Sequence, residues 1–122
     1  MTEPIFEITK AAAFDAAHYI QQGPADHRYR NLHGHSFRVE ASVRGPKREA
    51  GWVADFDALD QALKAVAKEL DHGLLNDRPG LETPTLENIC LYFAGRLKPT
   101  FPGLSRIVVS RPTINESCSL TL

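Results

Sequence analysis

Cysteine is scarce in this chain. Cys90 and Cys118 are the only two among 122 residues, and no C-x-x-C spacing joins them. A disulfide framework is therefore not expected, and two buried free thiols are. Net charge is nearly absent too: 14 Lys and Arg against 15 Asp and Glu leave −1 at pH 7. That balance gives no electrostatic footing for nucleic acid or an anionic membrane, so neither is expected as a partner. No apolar run approaches the roughly 20 residues of a membrane-spanning helix, and the first residues lack the basic and apolar regions of a signal peptide. A cytoplasmic protein is the expectation. Repeats, low-complexity stretches and linkers are missing as well. What is present, 43% hydrophobic and 24% charged residues, is ordinary for a globular chain. The length suits a single domain over 1–122 with one core.

Period-two and helical patterns order that domain. Phe6 and Ile8 alternate with polar neighbours on a strand running toward His18. Phe37, Val39, Ala41 and Val43 alternate with polar residues on a second strand that starts at His35 and ends at Gly45-Pro46. A polar loop, 21–31, lies between them. Asp55 reads as an N-cap, followed at helical spacing by Phe56, Leu59, Leu63, Val66 and Leu70. Thr85 caps a second helix, with Glu87 near its positive end and Leu86, Ile89, Cys90, Phe93 and Leu97 as its stripe. Pro99 and Pro102 stop it. Ile107, Val108 and Val109 form a third strand, and Cys118, Leu120 and Leu122 a fourth. Strand, strand, helix, helix, strand, strand implies an α+β fold: an antiparallel four-stranded sheet with two helices on one face. Its open edges favour a homo-oligomer.

Five histidines are present, and three fall in two short pieces, His18 and His33-Gly34-His35. Residues i and i+2 of a strand point to one face. His33 and His35 are thus placed to grip one ion, with His18 from the neighbouring strand as a third ligand. A bare H-x-H is more often a surface accident than a metal site. Three imidazoles with a fourth position open are the pattern of catalytic zinc.

Five pieces stand in order along the chain: Phe14-Asp15-Ala16-Ala17-His18, Leu32-His33-Gly34-His35-Ser36-Phe37, Gly51-Trp52-Val53-Ala54-Asp55-Phe56, Leu70-Asp71-His72-Gly73-Leu74-Leu75-Asn76 and Pro84-Thr85-Leu86-Glu87-Asn88. In these the chain resembles the 6-pyruvoyltetrahydropterin synthase family, which includes the 6-carboxytetrahydropterin synthases of queuosine biosynthesis. The resemblance implies the tunnelling fold, in which ββααββ units form trimers that stack into hexamers. It implies zinc on His18, His33 and His35 and a zinc-dependent lyase acting on a small pterin-type substrate. It also implies active sites at subunit interfaces, with a catalytic pair, Asp71 and His72, supplied across them. A carboxylate orients an imidazole and raises its basicity, and the imidazole moves protons. Alone, an Asp-His at a helix end would read as a cap and a solvated charge.

Two departures stand beside the matches. The family's cysteine lies four or six residues before the first histidine of H-G-H. Tyr29 and His27 occupy those positions here and become the candidate proton-transfer groups. The family's pterin-binding glutamate falls on Arg111, and a shifted alignment would bring Glu116 into its place. Arg111, Thr85 and Glu87 are the candidate substrate-contacting residues. Arginine offers only donors, so Arg111 suits an anionic edge. The departures leave three readings: a family-type lyase using His27 or Tyr29, a diverged enzyme with an anionic substrate, or a non-enzymatic zinc-binding oligomer. They also imply weak turnover of 7,8-dihydroneopterin triphosphate.

Overall fold

The computed structural model describes residues 3–122. Its elements follow the expected order: β1 (Ile5–His18), β2 (His33–Pro46), α1 (Phe56–Leu70), α2 (Leu86–Leu97), β3 (Leu104–Arg111) and β4 (Glu116–Thr121). The four strands form one sheet in the order β1-β2-β3-β4, antiparallel throughout. β1 and β2 pair along their whole length, from Ile5 opposite Pro46 to His18 opposite His33. β2 therefore begins at His33, two residues before the point where its alternation becomes visible in the sequence. His33 and Gly34 continue the ladder because His18 and Ala17 stand across from them. Leu122 lies just beyond β4, although its backbone N–H still reaches the Ser105 carbonyl at 2.9 Å.

Local chemistry sets the element ends. The Asp55 side chain accepts the Asp57 N–H at 2.9 Å and starts α1, and the Thr85 hydroxyl accepts the Asn88 N–H at 3.2 Å and starts α2. Each satisfies a donor that the first helical turn cannot. A turn of 3-10 helix, Pro112–Ile114, joins β3 to β4 and closes on Asn115 at φ 57°. Asparagine tolerates this left-handed conformation better than other side-chain-bearing residues. At Gly103 a Cβ would lie 2.8 Å from the Arg44 carbonyl oxygen, so this close approach of the β2 and pre-β3 backbones requires glycine.

Both helices cover one face of the sheet. Their apolar stripes, Leu59, Leu63, Val66 and Leu70 with Ile89, Phe93 and Leu97, meet Phe14, Phe37, Val39, Ala41, Ile107 and Val109 in one buried cluster. The Phe14 ring stacks on Phe37 at 5.1 Å and on Phe93 at 5.9 Å. The opposite face carries small and polar side chains, including Thr9, Ser42, Arg38 and Glu40. Thr9 and Ser42 share a 2.7 Å hydroxyl hydrogen bond, and Arg38 pairs with Glu40 at 3.0 Å. No helix among the described residues is long and apolar enough to cross a membrane.

Candidate metal centre and its surroundings

The pairing of β1 with β2 is what gathers three imidazoles. His18 stands opposite His33 and Ala16 opposite His35. Alternation then puts His18, His33 and His35 on the face that carries Phe14 and Phe37, just past the end of the core. One ligating atom from each histidine lies within 4.8 Å of the other two. Phe37 forms the floor, its ring 5.7 Å from His18 and 5.6 Å from His35.

Hydrogen bonds decide which nitrogens are free. His18 Nδ1–H donates to the Pro84 carbonyl at 3.0 Å, and His33 Nδ1–H to the Asn31 carbonyl at 2.6 Å. A carbonyl only accepts, so in both rings Nδ1 holds the proton and Nε2 keeps its lone pair. The Nε2 atoms of His18, His33 and His35 are buried and have no partner. Leaving a buried polar atom unsatisfied costs about 1–3 kcal/mol, and three such atoms converge here. The donor set fits zinc: three converging imidazole nitrogens, two of them on rings whose tautomer a backbone carbonyl fixes, and, with a closing of the rings, room for nitrogens at about 2.0–2.1 Å from one ion.

The environment favours the neutral form of two of these rings. His18 is lowered to about 4, chiefly by burial; the Pro84 hydrogen bond opposes this, and the charges of His33, His35 and Arg111 add to it. His35 is lowered first by burial and then by Arg111 and His33, with Glu116 opposing.

Asp71 and His72 form a second constellation. Asp71 is the C-cap of α1, so the cap is real, but its carboxylate does more. One oxygen accepts the Asp15 backbone N–H at 2.9 Å, and the other accepts His72 Nδ1–H at 2.8 Å. His72 sits at φ 56°, held there as its own N–H donates to the Asp15 carbonyl at 2.6 Å. Beyond it, Ala17 N–H donates to the Gly73 carbonyl at 2.9 Å, and Leu74 bridges Ala17 in parallel. The pair is thus clamped to the free edge of β1. The hydrogen bond from Asp71 raises the His72 pKa, and the carboxylate's charge adds to that. Asp71 is lowered in turn, first by the Asp15 N–H and then by His72.

The His72 side chain is 80% exposed on the wall of a cavity of about 630 Å³. Asp15, Ala17, Gly34 and Ser36, which alternate with the core-facing residues, supply much of the sheet wall, with Ala16 and His35 between them. His72 and His35 of the imidazole cluster thus line one cavity at the free edge of β1.

The loop candidates separate. His27 caps the short turn Arg28–Arg30, its Nδ1 accepting the Tyr29 N–H at 3.2 Å. The Tyr29 ring lies 4.3 Å from His27 and 6.1 Å from His33, and it shares a cavity of about 400 Å³ with His33 and His35. Tyr29 is the residue beside the cluster, and His27 stands behind it.

Arg111 and Glu116 stand opposite each other at the end of the β3–β4 hairpin. Arg111 Nη2 lies 3.0 Å from Glu116 Oε1, and the arginine is only 9% exposed. The two alternatives raised by the sequence are therefore both present, paired with one another. Thr85 and Glu87 line a cavity of about 470 Å³ together with Tyr29, Arg111, Glu116 and Cys118. Thr85 also spends its hydroxyl on capping α2. Both cysteines are free. Cys90 is buried and pushed up to about 12, by burial first and then by Cys118, whereas Cys118 is only half-buried.

Several supporting groups escape sequence reasoning. The Pro84 and Asn31 carbonyls are backbone acceptors with no sequence signature. Asn76 clamps the chain just after His18, its Oδ1 accepting Tyr19 N–H at 3.1 Å and its Nδ2 donating to the Tyr19 carbonyl at 2.8 Å. Only its place in Leu74-Leu75-Asn76 hinted at a role.

Comparison with known proteins agrees with this geometry. The sequence profile described as 6-pyruvoyl tetrahydropterin synthase matches residues 7–121. A dihydroneopterin monophosphate aldolase of Pyrococcus furiosus is 39% identical over 92 residues, covering 75% of each chain. A 6-carboxy-5,6,7,8-tetrahydropterin synthase of Synechocystis is 38% identical over 109 residues, covering 84% of this chain and 83% of the relative. The solved 6-pyruvoyl tetrahydropterin synthase of Caenorhabditis elegans superposes with a TM-score of 0.86 at 21% identity, covering 100% of this chain and 99% of the other. The four-stranded sheet backed by two helices is thus the tunnelling fold of those enzymes. With the profile match running from β1 through β4, the chain belongs to the 6-pyruvoyl tetrahydropterin synthase family.

Proposed function

We propose that this chain is a zinc-dependent lyase that cleaves the side chain of a phosphorylated dihydropterin by a retro-aldol reaction. Three buried Nε2 atoms without partners, gathered around one point, are the observation that carries the reading. His18, His33 and His35 would hold the ion, with the Pro84 and Asn31 carbonyls fixing two of the rings. When bound, zinc supplies a Lewis acid at its open position, to which side-chain oxygens are polarised.

Proton movement falls to the chain's own residues. His72, oriented by Asp71 through Nδ1, offers Nε2 as a base. It takes the proton of the side chain's second hydroxyl. The C1′–C2′ bond breaks, its electron pair passes into the ring C6–N5 imine, and the second carbon leaves as an aldehyde. The same proton, or one from the Tyr29 hydroxyl, returns to C1′. The step balances without an oxidant or reductant. It also needs no thiol, which suits a loop that offers Tyr29 and His27 where the family has cysteine. The relative named as an aldolase supports cleavage; the synthase relatives support the same ring system.

The reading includes a closed homo-oligomer. In it, one subunit's His72 serves the metal centre of another. The free edges of β1 and β4 are the surfaces available for closure; a hexamer of two trimers is the form proposed. Light scattering at micromolar concentration tests this, and a stable monomer would contradict it. For the reaction, zinc-loaded protein and 7,8-dihydroneopterin monophosphate should yield 6-hydroxymethyl-7,8-dihydropterin and a two-carbon aldehyde. A product retaining the full three-carbon side chain would overturn the retro-aldol assignment.

A further inference from the structure

Two cavities meet at Tyr29, and they differ in charge. The one of about 470 Å³ holds the Arg111 guanidinium together with two carboxylates, Glu87 and Glu116. Arg111 Nη2 already lies 3.0 Å from Glu116 Oε1, so the positive charge that on sequence alone suited an anionic ligand is answered. The one of about 400 Å³ is lined by His33 and His35 of the cluster and by Arg28, Tyr29, Asn31 and Ile114. No carboxylate lines it, and Arg28 is the positive charge on its wall. An anionic group beside the cluster is therefore favoured on the Arg28 side of Tyr29 and disfavoured on the other.

The loop uses its two arginines differently. Arg30 is spent on the fold: its Nε donates to the Pro24 carbonyl at 3.0 Å and its Nη2 to the Gly23 carbonyl at 3.1 Å. Arg28 is fixed through its backbone, whose carbonyl accepts the Asn31 N–H at 3.1 Å. Its guanidinium rests over the Tyr29 ring, 5.4 Å from the centroid. Among the described residues no carboxylate lies within ion-pair distance of it. A cation held on an aromatic face keeps its N–H donors for another partner.

We propose that Arg28 is the residue that selects a phosphorylated substrate: two of its N–H groups donate to two oxygens of the phosphomonoester at the end of the side chain, while the Tyr29 face sets the direction of the fork. This rests on the pterin reading above and names the group that tells a phosphorylated side chain from a free one. Arg28 takes no part in the bond cleavage.

Neopterin monophosphate and neopterin are the probes. Their aromatic rings resist cleavage, because accepting the electron pair would end the aromaticity. Each is titrated calorimetrically into the zinc-loaded wild type, Arg28→Met and Arg28→Lys. The wild type should bind the monophosphate about 10–100-fold more tightly than neopterin, the equivalent of one or two charge-assisted hydrogen bonds. Arg28→Met should bring the two within a few-fold by weakening the monophosphate alone, at unchanged neopterin affinity, zinc content and melting temperature. Arg28→Lys, which keeps the charge but not the fork, should retain an intermediate preference. Equal binding of the two probes by the wild type would overturn the assignment and leave the pterin reading standing. So would a full preference in Arg28→Met, which would put the phosphate on the ion, or an equal loss of both probes there, which would make Arg28 a mere support for Tyr29. A wild type that binds neither probe would overturn both.

Discussion

Replacing Asp71 by asparagine separates its capping role from its chemical one. The asparagine oxygen can still accept the Asp15 N–H, so the α1 end and the His72 backbone should hold. The other side of the group changes character. Asp71 Oδ2 now accepts His72 Nδ1–H at 2.8 Å; an amide NH₂ there donates instead and forces the proton onto Nε2. His72 then presents a donor where the reaction needs a base. The loss expected for a misplaced general base is about 10²–10⁴-fold in kcat. The pH profile should move as well. The base must be neutral, so kcat/KM rises with pH through the His72 pKa. In the wild type that pKa is raised, first by the Asp71 hydrogen bond and then by its charge. Removing both should shift the acid limb to lower pH while the plateau falls. Steady-state rates across pH 5–9 (a span chosen about the ordinary histidine value of roughly 6.5) with zinc analysis of each sample provide the assay. A plateau within two- to three-fold of wild type at full zinc content would refute the base assignment and leave Asp71 a helix cap.

Further outcomes follow from neighbouring contacts. Phe37→Ala removes both the stacking partner of Phe14 and the floor beneath His18 and His35. It should cost about 3–5 kcal/mol in denaturant unfolding and weaken zinc binding; a change under about 1 kcal/mol would show that the ring is not part of the packed core. Tyr29→Phe should lower turnover by more than ten-fold, a conservative reading of the general-acid range, with zinc retained, whereas His27→Ala should matter less because His27 lies behind Tyr29. The reverse order would move the proton-transfer role to His27.

The order of elements was legible because each carries its own periodicity. Leu59, Leu63, Val66 and Leu70 repeat at helical spacing, and Phe37 through Val43 alternate. The start of β2 was not, since His33-Gly34-His35 has no alternation of hydrophobicity and joins the ladder only through His18 and Ala17 across from it. The three histidines were readable from strand geometry once His18 was put on the adjoining strand. The placement of Asp71 and His72 was not, because it depends on the Asp15 backbone and the edge bridge at Ala17. Arg111 and Glu116 are five positions apart in the chain, and only the hairpin register reveals that they are partners. Sequence alone made them rivals for one role, whereas a turn of Pro112–Ile114 makes them neighbours.

The most direct test of the account is metal content and turnover measured together in His33→Ala and His35→Ala. The wild type should hold one zinc per chain and cleave the dihydropterin side chain. Each variant should fold, lose the zinc and lose turnover. Full zinc in both variants, or undiminished cleavage without it, would contradict the claim that the His18, His33 and His35 cluster is the metal centre on which the reaction depends.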